Sequence, residues 1–304
     1  MVRLAAVLLS VLASLAAAVE LGAPVTAWTA AGEAIYLGTE DGRVLRYLPE
    51  EGAVTEVWRL APLQLVTGPL QPKLYSLDAR GDELLWVREG AHGFRVIERF
   101  REGGAPEVVL DEGAELPVVA AWFLAPDRVV AVLLDGEVVW VDAAGRVERR
   151  LQVTRSAVGA AAKRGALLAV GDEGGLVTLV DLEGARILGQ TAMHRDKVLA
   201  LTLGERWALS GGRDRRAAAW AFEGTTTLAL RAEFFVYAVA LDAEERLAAY
   251  TYDESGTLRI VDLVERREVR RAPGFEGADR LMFWGEDCLV VADEYGRVRC
   301  WRWR

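Results

Sequence analysis

The stretch HRDKVLALTLGERWALSGGRDRRAAAW, His194–Trp220, decides the fold. It gathers a His, two Asp, a Lys and five Arg around short apolar runs, and the chain's other His is His92. Two readings compete. His194, Asp214 and Ser210 are the residue types of a nucleophile relay, and the arginines are those of an anion site. The same letters also spell a repeating unit: a short run with a small residue inside it (VLAL), a second run (WALSGG), a charged turn (RDR) and a third run (RAAAW). Which reading holds depends on whether the unit recurs.

It recurs. Apolar run, acidic or Gly turn and alternating run appear in AIYLGTEDGRVLRYL, LLWVREGAHGFRVIERF, VVAVLLDGEVVWVDAAG, LLAVGDEGGLVTLVDLEG, WALSGGRDRRAAAWAF, LAAYTYDESGTLRIVDL and CLVVADEYGRVRCWRW. The turns carry Gly42, Gly93, Gly136, Gly174, Asp214, Gly256 and Gly296, spaced 51, 43, 38, 40, 42 and 40 residues. A second marker keeps step 13 to 15 residues ahead of the turn acid: Ala27, Ser76, Ala120, Gly159, Ala200 and Ala238, with Met282 departing in the seventh unit. Segments such as RVLRYL and TLRIVDL alternate with period two, as half-buried strands do. A period of about 41 residues falls among those of propeller blades, whose innermost strands crowd the axis and suit small side chains. The expected fold is all-β, a seven-bladed β-propeller over residues 19–304. The long first interval holds Pro62, Pro69 and Pro72, which predict a long loop rather than an added blade. The chain stops after the third strand of the seventh unit, so VELGAP, residues 19–24, is expected to supply the missing outer strand and leave no open edge.

Composition narrows the function. Hydrophobic residues make up 52%, enough for a sizeable core, and the net charge of −9 disfavours a nucleic-acid partner. Only Lys73, Lys163 and Lys197 are lysines among 36 basic residues. Residues 1–18, MVRLAAVLLSVLASLAAA, have the basic start, apolar run and Ala-x-Ala end of a cleaved signal peptide. Export, no membrane span in the processed chain, a periplasmic location and a monomer are therefore expected. Cys288 and Cys300 flank one hairpin; a register centred near Glu294 sets them opposite each other for a disulfide, and a slip of one residue leaves two buried thiols.

The motif readings favour structure over chemistry. A triad needs its Ser exposed beside an oxyanion hole, whereas Ser210 falls inside a strand, so no catalytic residue is assigned. Two His 102 residues apart and two Cys that suit each other make no metal site, and no cofactor is expected. The turn acids would ring one rim, but Asp and Gly form such turns for local reasons. Arg195, Arg213 and Arg215, with the aromatics Tyr75, Phe235 and Tyr237, are the candidate partner-binding residues.

Set against known families, His194, Ser210, Asp214 and Trp220 stand where Trp-Asp (WD) repeats carry a His, a Ser or Thr, an Asp and a Trp. The chain resembles a divergent WD-repeat β-propeller. That resemblance implies a buried hydrogen-bond relay through these four side chains. Over most of its length, including PKLYSLDARGDELLWVREG and YTYDESGTLRIVD, the chain also resembles the periplasmic WD-repeat accessory proteins of bacterial periplasmic nitrate reductase systems. This implies a non-catalytic interaction scaffold whose partners are nitrate reductase components. The alternatives are a generic periplasmic WD-repeat scaffold unrelated to nitrate reduction, and a ligand-binding or enzymatic propeller that uses its central channel.

Overall fold

The structure, a computed structural model, describes residues 18–223 and 227–304. The expected signal peptide lies almost wholly outside the described residues. Seven four-stranded antiparallel sheets form the blades of a β-propeller, and among the described residues the single helical element is the 3-10 turn Glu112–Ala114. Blade 1 runs from the axis outward as Val25–Ala31, Ala34–Thr39, Arg43–Leu48 and Ala53–Arg59. Blades 2 to 6 repeat this order, with inner strands Leu74–Arg80, Val118–Ala125, Val158–Arg164, Val198–Leu203 and Val239–Leu241.

Blade 7 is built from both ends of the chain. Its inner three strands are Ala278–Trp284, Cys288–Asp293 and Arg297–Arg302, and its outer strand is Val19–Glu20. Val19 faces Val298 and Glu20 faces Arg297, as the closure reading expects. Leu21 N–H then donates to Gly296 O at 2.7 Å, and Leu21 and Ala23 are buried.

The core is seven layers, one between each pair of adjacent blades. Leu85, Ile97, Val118 and Leu133 meet between blades 2 and 3, and Ile35, Leu45, Val290 and Val298 between blades 7 and 1. Each sheet is thus apolar on both faces, and the second strands read as near-continuous apolar runs such as CLVVAD. Polar residues concentrate in outer strands such as REVRRA, which is exposed along most of its length.

Register explains the small-residue marker. In six blades the inner strand opens with a bulge, between Val25 and Ala27, Leu74 and Ser76, Val118 and Ala120, Val158 and Ala160, Val198 and Ala200, and Ala278 and Arg280. A bulge turns the next side chain. The equivalent residue in blade 4 is Ala160 rather than Gly159, and in blade 7 it is Arg280 rather than Met282. Gly159 is itself the bulged residue; a Cβ there would lie 2.1 Å from Val198 O.

The Pro-rich interval adds no blade, but it is more than a loop. Leu63–Leu65 and Gly68–Leu70 pair as a two-stranded hairpin with a fully exposed Val66 at its tip. Cys288 and Cys300 are joined by a disulfide with Cα atoms 5.6 Å apart. They sit diagonally, since Cys300 faces Val290 and Cys288 faces Arg302. The hairpin is centred on Tyr295, one residue beyond the symmetric register about Glu294.

Candidate functional site

Each blade is a meander, so the turns between second and third strands and the segments linking one blade to the next share a face. The chain stitches the two together. Glu40, Glu89, Leu134, Glu173, Arg213 and Glu294 each donate a backbone N–H to the segment leading into the inner strand, for example Arg213 N–H to Lys197 O at 2.9 Å. The candidate residues around His194 and Arg213 lie on this face.

His194 is sealed beneath it. The ring is fully buried, with Nδ1 2.9 Å from Asp214 Oδ1 and Nε2 2.8 Å from Ser210 Oγ. With a neutral ring, Nδ1–H donates to the carboxylate and Nε2 accepts from the Ser210 hydroxyl. Asp214 Oδ2 also accepts the Arg195 backbone N–H at 3.1 Å. Burial pulls the imidazole pKa below its ordinary value, although the Asp214 hydrogen bond and charge oppose this. Ser210 is fully buried, so a substrate has no path to its hydroxyl.

Trp220 is the exception. It faces Ala208, diagonal to Ser210, and its indole makes no hydrogen bond to that hydroxyl. The Ser210 oxygen instead lies 3.3 Å from Ala218 O and 3.6 Å from Met193 Sδ, and the indole packs edge-on against Phe222. The tie therefore joins three of the four residues.

The turn acids are occupied locally. Asp172 Oδ1 accepts from the Gly174 and Leu176 N–H groups, Asp253 Oδ1 from Thr257 and Ser255, and Asp293 Oδ1 from Tyr295 and Arg297. Among the described residues no group of three His, Cys, Asp or Glu is disposed to hold a metal ion. No helix among them is long and apolar enough to cross a membrane.

The candidate partner-binding residues separate into two places. Phe235 and Tyr237 stand together with Phe234: the two Phe rings stack at 4.6 Å, and Tyr237 meets Phe235 edge-on at 6.1 Å. Tyr237 is 44% exposed, and the Arg213 guanidinium lies 5.6 Å from the Phe235 ring. Arg195 and Arg215 are nearby on the face but make no side-chain ion pair among the described residues. Arg215 adopts φ 62°, where most other blades have Gly, and its carbonyl accepts from Ala232 N–H. Tyr75 lies in blade 2, under the Arg95 guanidinium at 3.7 Å, and lines the central channel, which Tyr237 also lines.

The channel, about 530 Å³, is less plain than inner strands of Ala, Val, Leu and Gly suggest. Trp28, Asp78, Trp122, Lys163, Asp279 and Arg280 line it too. Several of these join blades that share no backbone ladder. Ser76 Oγ and Asp78 Oδ2 accept the Ala121 and Phe123 N–H groups of blade 3, and Arg280 donates to Thr26 O of blade 1 at 2.7 Å. Burial raises the Asp78 carboxyl pKa. The sequence signal was present as polar residues two and three places beyond the bulge, in SLD and AAK. Glu245 was not foreseeable: it is buried in blade 6, and its carboxylate caps the blade 5 turn through the N–H groups of Arg206 and Trp207.

No protein-family model matches the chain, and no curated protein matches it. Among solved structures it is similar to the computationally designed Ika8 protein, with a TM-score of 0.66 and 16% identity, over 93% of this chain and 97% of that one. At that identity the likeness shows the propeller fold alone.

Proposed function

We propose that this protein is a non-catalytic interaction scaffold that uses the face formed by the hairpin turns and inter-blade segments. One observation carries the reading. On that face a hairpin raises the exposed Val66 and Leu70 clear of the ring, and the half-exposed cluster of Phe234, Phe235 and Tyr237 stands on the same face beside Arg213. Exposed aromatics next to Arg are what protein interfaces use, and the exposed apolar hairpin tip adds to that surface.

The finer reading is export to the periplasm and service to periplasmic nitrate reductase. It rests on the leader-like residues 1–18 and the sequence resemblance. Affinity capture from the periplasm during nitrate respiration tests both levels. Recovery of reductase components by the wild-type chain, with loss on Val66→Asp or Tyr237→Ala, supports the finer reading. Recovery of unrelated partners leaves a general scaffold. No partner, together with normal nitrate reduction in a deletion strain, overturns the proposal.

A further inference from the structure

Between blades 6 and 7, on the same face, lies a cavity of about 470 Å³ with two unlike walls. One is the aromatic cluster, Phe234, Phe235 and Tyr237. The other carries Asp253 and Glu254 from the blade 6 turn and Glu294 from the blade 7 turn, with Asp279 reaching in from the blade 7 inner strand. Four carboxylates line the cavity, and no Lys, Arg or His does. Three arginines border it: Arg213 lies 5.6 Å from the Phe235 ring and Arg299 4.0 Å from the Phe275 ring, both rings of the cavity lining, and Arg280 donates to Thr26 O.

Asp279, which also lines the central channel, sits beside Arg280, whose own buried Nε has no hydrogen-bond partner. Asp279 Oδ1 is buried and accepts no hydrogen bond. Burial, with Asp293 and Glu294 adding to it and Arg280 opposing, pushes its carboxyl pKa up to about 6. A buried carboxylate without a donor is costly, and a cation would relieve it. Aromatic faces attract the same cation through their quadrupoles. Arginine suits both walls: its flat guanidinium stacks on rings while its forked N–H groups reach carboxylates. The Arg213 guanidinium near Phe235 is an internal example of that affinity.

We propose that this cavity receives an arginine side chain from an exposed segment of the partner protein. The inference rests on the scaffold reading and names the chemistry the partner must present. The probe is an uncharged glycine–serine peptide with one central arginine, titrated calorimetrically into the purified protein beside the same peptide with citrulline, the neutral isostere. The arginine peptide should bind at least about tenfold more tightly than the citrulline peptide. Phe235→Ala and Glu254→Gln should each weaken it about tenfold, whereas Glu173→Gln, across the face, should not. Asp279→Asn should weaken it without loss of melting temperature, which separates binding from folding.

Equal binding of the two peptides overturns the proposal, as does no binding of either. Saturable binding of spermidine in place of the peptide also overturns it, and assigns the cavity to a free polyamine. If the peptide fails while periplasmic capture still recovers a partner dependent on Val66, the scaffold reading stands and only the arginine pocket falls.

Discussion

Blades 4 and 5 are neighbours and fasten the same joint with different chemistry. In each, the segment before the inner strand is tied to the end of the second strand. Blade 4 uses Thr154, whose hydroxyl donates to Asp172 Oδ2 at 2.5 Å. Blade 5 uses the larger His194, bonded to Asp214 and Ser210. The backbone stitches Glu173 N–H to Ala157 O and Arg213 N–H to Lys197 O make Asp172 equivalent to Gly212, not to Asp214. A Cβ on Gly212 would lie 2.3 Å from His194 Nδ1. The imidazole fills the space that a carboxylate occupies in blade 4, so the acid moves two residues along. Blade 2 has a third arrangement, in which Glu89 at the end of the second strand accepts the Lys73 N–H on its Oε2 at 3.4 Å. Divergence among the repeats is a change of paired residues within a constant joint.

Both joints sit in a ring closed by the Val19–Glu20 strand, so the most disruptive test removes closure. Deleting residues 19–24 strips the outer strand from blade 7 along with buried Leu21 and Ala23. The melting temperature should fall by on the order of 10 °C, and an unchanged value would show that this segment does not close the ring. Next is the exchange of acid positions. Gly212→Asp alone should destabilise by about 3 kcal/mol in denaturant unfolding, through overlap with His194 and repulsion from Asp214. Adding His194→Thr and Asp214→Gly rebuilds the blade 4 joint in blade 5 and should return stability to within about 1 kcal/mol of the parent. Without that rescue, the two joints are not interchangeable. Asp214→Ala should cost about 1–3 kcal/mol, because the His194 and Arg195 N–H groups lose their acceptor.

The smallest effect is the pH dependence that only blade 5 should show. The His194 pKa in the folded protein is depressed by burial, so the unfolded chain binds its proton more readily. The stability of the neutral ring is complete above the unfolded value of about 6.5 and is lost as pH falls from there through the folded value. In the rebuilt joint, with Thr in place of His194, that decline should vanish. Persistence of the same slope would assign it to carboxylates.

That Ser210, Asp214 and His194 form one network was implied by the WD-repeat resemblance of the unit that holds all three within 21 residues. Trp220 belongs to the same unit and was misplaced, because diagonal position across two strands does not establish which atom an indole reaches. The acid markers were read as one set, yet Asp172 and Asp214 occupy different positions, which only the backbone stitches reveal. Arg280 at the axis was missed because the bulge that puts it in phase is a register feature, invisible to spacing counted by eye.

What the amino-acid order determined by itself is local: seven strand–turn–strand units, their turns, their two-residue alternation and the small residues of the inner strands. These depend on neighbours a few residues apart, through pleat geometry and the conformations that Gly and Asp allow. The tertiary structure decided what lies across the gaps between blades. It set Val19 against Val298, Arg280 against Thr26, and an aromatic wall from the segment before blade 6 against carboxylates of blades 6 and 7. Such pairs join residues from separate repeats, or from opposite ends of the chain, and packing the blades into a ring is what brings them within reach.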